Sequence, residues 1–404
     1  MIIVQLNAVD YGSTDKIARQ LCDVGRKNGD LSYFAHGWTK RTKKRNYKDD
    51  IIIGSRLSKS LHVLIGRILG MDGILSYFAT KAFIRKLNKI RPDIVHIHIL
   101  HSWYINYKIL FKYLNKKKMN VVWTLHDCWL ITGRCPHFVL MKCNKWIHGC
   151  DHCMYPRSLY PQAYIDSSKR MWDTKKKLVS SLNHLTIVTP SEWLAGLVKQ
   201  SFLKDYPVKV INNGIDLNVF KPTESDFRKK YNIPEEKFIL LGVAFDWGRR
   251  KGLDVFIELE KRLDSLKFQI VLVGTDDNVD KQLPSDIISI HRTQNQTELA
   301  EIYTAADLFV NPTREENYPT VNMESIACGT PVITFRTGGS PEILTEKTGM
   351  VVDCDDVEGL QHGIEKICEK NIFSTADCIE QAKQFDMNKR FQEYIELYNE
   401  FIEK

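Results

Sequence analysis

Two carboxylates, Glu316 and Glu324, stand with seven residues between them and enclose the step Pro319-Thr320-Val321. The apolar run Leu308–Asn311 just upstream reads as a strand, and Val321–Cys328 reads as a helix ended by Gly329-Thr330-Pro331. A helix that starts directly after a strand presents unused backbone N–H groups and the positive end of its dipole, so it holds an anion without any special side chain. Glu324 falls about one turn into that helix, where a carboxylate accepts two hydrogen bonds from a ribose diol. Glu316 precedes the helix, where a sugar beyond the phosphates would sit. The chemistry these positions suit is recognition of a nucleotide diphosphate sugar. Spacing alone fits equally well two acids that favour the helix dipole and a third that is solvated.

Other groups of the right types lie at strand ends. Arg249-Arg250-Lys251-Gly252 follows the run Phe238–Phe245 and precedes a helical pattern, where cations neutralise charge developing on a leaving diphosphate. Gly12-Ser13-Thr14 follows the first apolar run and opens the first helix, a weak signal by itself. His126-Asp127 follows Val121–Leu125. His96 and His98 lie on a buried-looking strand and read as packed, hydrogen-bonded residues, while His101, nearer the strand's end, is a candidate for an acceptor site. Five of the ten cysteines, Cys128, Cys135, Cys143, Cys150 and Cys153, fall in one short segment. Cys150-x2-Cys153 with Cys135 and Cys143 offers four thiolates for structural zinc, although the upstream intervals depart from finger spacing. Reduced, partly buried thiols are the alternative.

The elements that must position these residues alternate along all 404 residues. Strand-like runs at Ile2–Leu6, Ile94–Ile99, Val121–Leu125 and Leu185–Thr189 are separated by helical spacing at Ile17–Val24 and Phe83–Ile90. The second half repeats the pattern, with runs at Phe238–Phe245, Phe268–Val273, Leu308–Asn311, Pro331–Thr334 and Met350–Val352. Helical spacing appears there at Leu253–Leu263, Glu298–Ala306, Tyr318–Cys328 and Gly359–Lys370. Two βα arrays predict an α/β protein of two doubly wound, Rossmann-like domains facing across a cleft. The expected division is 1–205, carrying a Cys-rich insertion at about 128–160, then 206–385, with 386–404 a helix crossing back to the first domain. The domain boundary is expected within Leu203–Val208.

Charge is unevenly shared. Met1–Asp205 holds 34 Lys and Arg against 14 Asp and Glu, a net of +20, whereas the whole chain carries +8. The first half therefore predicts an anionic partner. The stretch His62–Ile90 mixes Leu, Ile and Phe with Arg67, Lys81, Arg85, Lys86 and Lys89, a composition suited to lying on an anionic bilayer. The competing reading is an ordinary amphipathic helix packed on the sheet. Short runs such as Lys40–Lys44 read as solvated loops. Met1–Leu6 lacks a basic lead and a cleavage site, and no run is long enough to span a bilayer, so the expected location is cytoplasmic and peripheral at the inner face of the cell membrane.

Glu316-x7-Glu324 continues into Ser325-Ile326-Ala327-Cys328-Gly329-Thr330-Pro331-Val332. It is accompanied in order by Val188-Thr189-Pro190-Ser191, Ile211-Asn212-Asn213-Gly214-Ile215-Asp216, Arg250-Lys251-Gly252, Val271-Leu272-Val273-Gly274, Ala306-Asp307 and Gly338-Gly339-Ser340-Pro341-Glu342. This set resembles the family 4 glycosyltransferases of the GT-B fold over nearly the whole chain. The resemblance implies a retaining transferase with Glu316 on the donor sugar and Glu324 on the ribose. It also implies Arg250 and Lys251 on the diphosphate, Gly12 and Ser13 in a loop facing diphosphate and acceptor, and His126 near the reacting sugar. The usual Gly-Phe-Gly after the first Glu is replaced here by Asn317-Tyr318-Pro319. Pro319 lacks an N–H, which moves phosphate binding to Thr320 and Val321. The family's Arg several residues before the Lys is Asp246 here, so its role passes to Arg250.

The segment Leu125-His126-Asp127-Cys128-Trp129 with its cysteines resembles colanic-acid-type members of capsule and exopolysaccharide clusters. The implied donor is a UDP- or GDP-sugar used without catalytic metal, and the implied acceptor is lipid-linked or an oligosaccharide. The alternatives are a GT-B nucleotide-sugar hydrolase or epimerase and, from another class, a basic nucleic-acid-binding protein. Against the latter, the basic residues form no nucleic-acid motif and no aromatic platform, so nucleic acid is not an expected partner. A Gly-x-Gly-x-x-Gly after a strand, as in a dehydrogenase, is absent.

Overall fold

The computed structural model describes residues 1–42, 50–154 and 162–402, so Lys43, Lys44 and residues 155–160 of the Cys-rich insertion lie outside the described residues. The chain divides into two compact units, Met1–Ile211 with Phe391–Lys404, and Asn212–Arg390.

In the first unit, strands β1 (Ile2–Asn7), β2 (Leu31–Gly37), β3 (Asp50–Ile53), β4 (Ile94–Ile97), β5 (Asn120–Thr124), β6 (Leu185–Thr189) and β7 (Val208–Val210) form a parallel sheet in the order β3-β2-β1-β4-β5-β6-β7. Parallel strands covered on both faces must be apolar throughout, which is why β4 and β6 are continuous buried runs rather than alternating ones. The helix Ser13–Lys27 shows the complementary pattern, burying Ile17, Ala18, Leu21, Cys22 and Gly25 on one stripe. Tyr394 and Tyr398, near the end of the last helix (Met387–Asn399), are buried in this unit.

In the second unit, β8 (Phe238–Val243), β9 (Phe268–Val273), β10 (Ile288–Ile290), β11 (Leu308–Asn311), β12 (Val332–Phe335) and β13 (Gly349–Val352) form a parallel sheet in the order β10-β9-β8-β11-β12-β13. Each sheet changes direction of strand order once, at β1/β4 and at β8/β11. Connections there leave to opposite faces, and a crevice opens beyond the carboxyl ends of the strands. Every candidate catalytic and donor-site residue named above lies in the loop or helix after a strand at or beside one of these two points.

Four strands escape the sequence reading. Among the described residues these are β2, whose apolar Tyr33-Phe34-Ala35 is flanked by Ser32 and His36, and the short strands β3, β7 and β10. The division between units falls at Ile211–Asn212 rather than within Leu203–Val208. Val208–Val210 pairs with β6 and so extends the first sheet by one strand. No helix among the described residues is long and apolar enough to cross a membrane.

Candidate active site

In the second unit the loop after β8 and the loop after β11 meet. Arg249–Lys251 forms a single 3-10 turn, and the Lys251 ammonium pairs with the Glu316 carboxylate, both side chains being largely covered. Two hydrogen bonds to one carbonyl join the loops, Arg314 N–H to Arg250 O at 2.9 Å and the Thr313 hydroxyl to the same oxygen at 3.3 Å. The Arg314 guanidinium, 5% exposed, clamps the junction. It grips Asp254 through two bonds of 2.7 and 2.9 Å, pairs with Asp355, and donates to the carbonyl of Arg249. Burial by itself would lower its pKa, but the two aspartates outweigh that and raise it, so the cation is permanent.

Gly338 supports the loop from behind. Its φ is +54°, and a Cβ there would stand 1.7 Å from the carbonyl oxygen of Glu316. Gly339 then donates its N–H to Asn317 O at 2.8 Å. Gly338 is thus a steric requirement of where Glu316 is held.

The helix Thr320–Ala327 begins immediately after this loop, with Pro319 as its N-cap and no side-chain cap bond. The first-turn amides of Thr320 and Val321 have no carbonyl one turn back. Asn322, fully buried, anchors the same turn: its amide accepts from Asn311 Nδ2 at 2.7 Å and donates to Ser340 Oγ at 3.0 Å, and Ser340 bonds Thr334 at 2.9 Å. Glu324, half-buried, accepts from the Tyr303 hydroxyl at 3.3 Å. Arg250, Lys251, Glu316, Thr320, Val321 and Glu324 therefore share the carboxyl ends of β8 and β11. A cavity of about 820 Å³ lies at the opposite ends of these strands, lined by Arg228, Asp307, Phe238 and Thr330. It contains none of these residues.

In the first unit, Gly12 (φ +86°) and Ser13 are exposed at the start of the helix Ser13–Lys27, whose first turn has no side-chain cap. His126, beyond the end of β5, is tied to a buried hydrogen-bond chain. His126 Nε2 is 2.9 Å from His98 Nδ1, and His98 Nε2 is 2.9 Å from Gln5 Oε1. Gln5 Nε2 donates to the Tyr398 hydroxyl at 3.1 Å, which lies 2.6 Å from His96 Nδ1; His96 Nε2 contacts Thr124 Oγ1 at 2.8 Å. The orientation of the Gln5 amide sets the protons on the His98 and His126 side of this chain. The Gln5 oxygen only accepts, so His98 carries its proton on Nε2 and accepts on Nδ1. His126 therefore donates from Nε2, and its Nδ1 is the basic nitrogen of the ring. Burial pushes His96 and His98 well below the ordinary histidine value and His126 to about 4, so all three are neutral near pH 7.

His101 goes the other way. Burial opposes its charge, but Asp127, 2.9 Å away, outweighs it and raises the pKa. His101 is thus committed to this pair.

Cys135, Cys143, Cys150 and Cys153 line one cavity of about 220 Å³, and Gly133 N–H reaches Cys150 Sγ at 3.0 Å. Among the described residues the one group of three ligand atoms mutually within 4.8 Å is exposed Asp277, Asp280 and His291, so no three of these sulfurs lie that close. Phe138 and Trp146 of the segment are buried, and the fully buried Lys175 donates to Trp129 O and lies 4.0 Å from the Trp129 ring.

Arg314, Asn322, Gln5 and Tyr398 were not legible as site residues. The partners of Arg314 are 60 and 41 positions away, and that of Gln5 is 393 away.

Two models of known families match the chain, Glycosyltransferase Family 4 over residues 26–219 and Glycosyl transferases group 1 over residues 223–385. The putative colanic acid biosynthesis glycosyl transferase WcaC of Escherichia coli (strain K12) is 23% identical over 98% of this chain and 99% of its own length. D-inositol 3-phosphate glycosyltransferase of Arthrobacter sp. (strain FB24) is 32% identical, over 46% of this chain and 47% of its own. Among solved structures, sucrose-phosphate synthase from Thermosynechococcus elongatus superposes with a TM-score of 0.74 at 17% identity, covering 99% of each chain. Anabaena Alr3699/HepE in complex with UDP gives 0.69 at 15%, covering 99% of this chain and 100% of its own. These likenesses establish the fold.

Two predictions follow from the geometry. Gly338→Ala should displace the Glu316 loop and lower the unfolding free energy of the second unit by about 1–3 kcal/mol, read from urea titration, against little change for Gly248→Ala, where a Cβ meets nothing. An equal response at both glycines would contradict the steric account. The histidine chain sets a pH dependence. Folded pKa values below the unfolded value of 6.5 mean that the unfolded chain binds more protons between about pH 6.5 and 4. Stability of the first unit should fall as pH drops through that window, by up to about 1.4 kcal/mol per pH unit for each histidine. His101 acts oppositely within this window, since its raised pKa adds stability that is full below pH 6.5 and is lost as pH rises through the raised value; the lowered Asp127 pKa removes the pair's contribution only below the ordinary carboxylate range. A urea midpoint that stays level or rises from pH 6.5 to 5 would contradict the assignment.

Proposed function

The chain belongs to the glycosyltransferases, its first half of the family 4 type and its second half of the group 1 type on the GT-B fold, and we propose that it is a retaining enzyme of surface polysaccharide assembly. The donor in this reading is a UDP- or GDP-sugar, and the acceptor is lipid-linked or an oligosaccharide. The observation that carries the donor assignment is the convergence of Lys251, Glu316 and the start of the helix Thr320–Ala327 at the β8/β11 switch point, with Glu324 one turn further on. The name of WcaC supports the pathway class, and the complexes of HepE with UDP and with UDP-glucose support the donor class.

In this reading the diphosphate sits on the amides of Thr320 and Val321 in the field of the helix dipole. Lys251 and Arg250 neutralise the charge that develops as the anomeric C–O bond breaks, the point at which stabilisation accelerates the reaction. Lys251 already pairs with Glu316, so an arriving diphosphate draws the ammonium towards itself and leaves the Glu316 carboxylate to accept from sugar hydroxyls. Glu324, oriented by Tyr303, accepts from the ribose. The acceptor oxygen bonds to the anomeric carbon on the face the leaving group departs from, and the leaving phosphate oxygen takes its proton. No strong base is needed, which suits a histidine held neutral. His126 serves as a hydrogen-bonding group rather than a proton acceptor.

A thermal-shift screen of nucleotide sugars identifies the donor. With it, Glu324→Ala should weaken binding by roughly 10- to 100-fold through loss of charge-assisted hydrogen bonds. Lys251→Ala should weaken donor binding and lower turnover by about 100-fold or more. If neither change weakened binding, the donor site would be misplaced. Donor consumption at full rate without any acceptor would replace transfer by hydrolysis.

A further inference from the structure

The helix Arg56–Leu69 faces outward with its apolar side. Leu57, Leu61, Leu64 and Ile68, spaced at intervals of four, three and four, form a stripe on its exposed face, with Leu57 80% and Leu64 60% exposed. A helix that served only to cover the sheet would bury this stripe and expose its polar side. Here the buried positions are His62 and Gly66. His62 is fixed by the Ser76 hydroxyl at 2.8 Å and the Leu75 amide at 3.4 Å, and Gly66 packs so closely on Trp103 that a Cβ would lie 2.5 Å from its ring nitrogen. The exposed stripe is therefore held rigidly on the surface.

The stripe is extended on both sides. The last carbonyls of the helix accept from Tyr164 N–H (to Arg67 O, 2.9 Å), Ile165 N–H (to Ile68 O, 3.2 Å) and the Ser167 hydroxyl (to Leu69 O, 2.7 Å), which seats exposed Tyr164 and Ile165 beside Ile68. The contact of His62 with Leu75 and Ser76 brings in the next residues, Tyr77 and Phe78, the latter 85% exposed. A continuous apolar face of this size marks a surface that meets something other than water.

Charge identifies what it meets. From Ile51 to Arg91 the chain has eight Lys and Arg residues and one acid, Asp72. That acid is buried, its carboxylate accepting from the amides of Ser102 and Trp103. Arg56, Arg67, Lys81, Arg85, Lys86 and Lys89 are all exposed. A second copy of the chain would bring two such positive faces together, whereas an anionic lipid surface neutralises them while its acyl layer covers the leucines.

We propose that this face seats the first unit on an anionic bilayer, with Leu57, Leu61, Leu64, Ile68 and Phe78 entering the headgroup layer. The proposal deepens the function above, since it brings the enzyme to the surface where a lipid-linked acceptor resides, and it rests on that reading for its purpose but not for its test.

The test is flotation of the full chain with phosphatidylglycerol-containing vesicles and with pure phosphatidylcholine vesicles, at low and at high salt. The wild type should float with the anionic vesicles and lose most of that binding at 1 M salt, where the Debye length falls to about 3 Å. Leu61→Glu with Leu64→Glu, exposed positions whose change should leave the melting temperature unaltered, should reduce the bound fraction at least about tenfold. Their donor thermal shift should remain that of the wild type, which separates this proposal from the donor assignment. Failure of the wild type to float at low salt, or equal flotation of the double variant, would overturn the proposal. So would a dimer that the double variant converts to a monomer, with no vesicle binding by either.

Discussion

The geometry of the candidate donor site depends on one buried cation. Arg314 sits where the loops after β8 and β11 converge, and its guanidinium is held by Asp254, Asp355 and the carbonyl of Arg249. A buried charge is costly unless it is paired and fully hydrogen-bonded, and this one is. The pairing does more than satisfy Arg314. It fixes the turn that carries Arg250 and Lys251 against the segment that carries Glu316, so an ion pair between residues 65 positions apart forms without either side chain searching for the other. Gly338 completes the arrangement by letting a second backbone pass within contact of the Glu316 carbonyl. The helix start at Thr320 then inherits its position from the loop, and Asn322 locks it to β11 and to Ser340.

The first unit is organised on a different principle. Beneath His126 runs a neutral network, a chain of imidazoles, an amide and hydroxyls. The terminus of the chain supplies Tyr394 and Tyr398 to that network, so the tautomer presented by His126 is decided partly by residues at the far end of the sequence. Buried charge in this unit is held by partners, as in the His101–Asp127 pair, Asp15 with Arg19, Asp72 under the amides of Ser102 and Trp103, and Lys175 over the Trp129 ring. The basic residues of 51–91 stand on the surface beside an apolar stripe, a combination that water alone does not favour.

Much of this was readable in the sequence. Apolar runs marked nine of the thirteen strands among the described residues, because parallel strands buried on both faces must be hydrophobic along their length. β2, β3, β7 and β10 were not marked, since their membership is conferred by pairing with neighbours rather than by their own composition. The candidate donor residues were legible because strand-end loops and helix starts are local features, and Lys251, Glu316, Thr320 and Glu324 could be placed on them one at a time. The four clustered cysteines line one cavity, in which no three of the sulfurs lie mutually within 4.8 Å.

The sequence by itself determined the kinds of element, their order, and which residue types stand at the ends of the strands, because those follow from periodicity and from backbone chemistry within a few residues. Glu316 and Glu324 belong to that part. Only the tertiary structure decided what those residues touch: that Glu316 meets Lys251, that Arg314 braces both loops, that Tyr398 reaches His96, and that the leucines of Arg56–Leu69 face outward. These outcomes depend on how strands and helices are ordered in space, and a pairing between residues tens or hundreds of positions apart leaves no periodic mark in either segment.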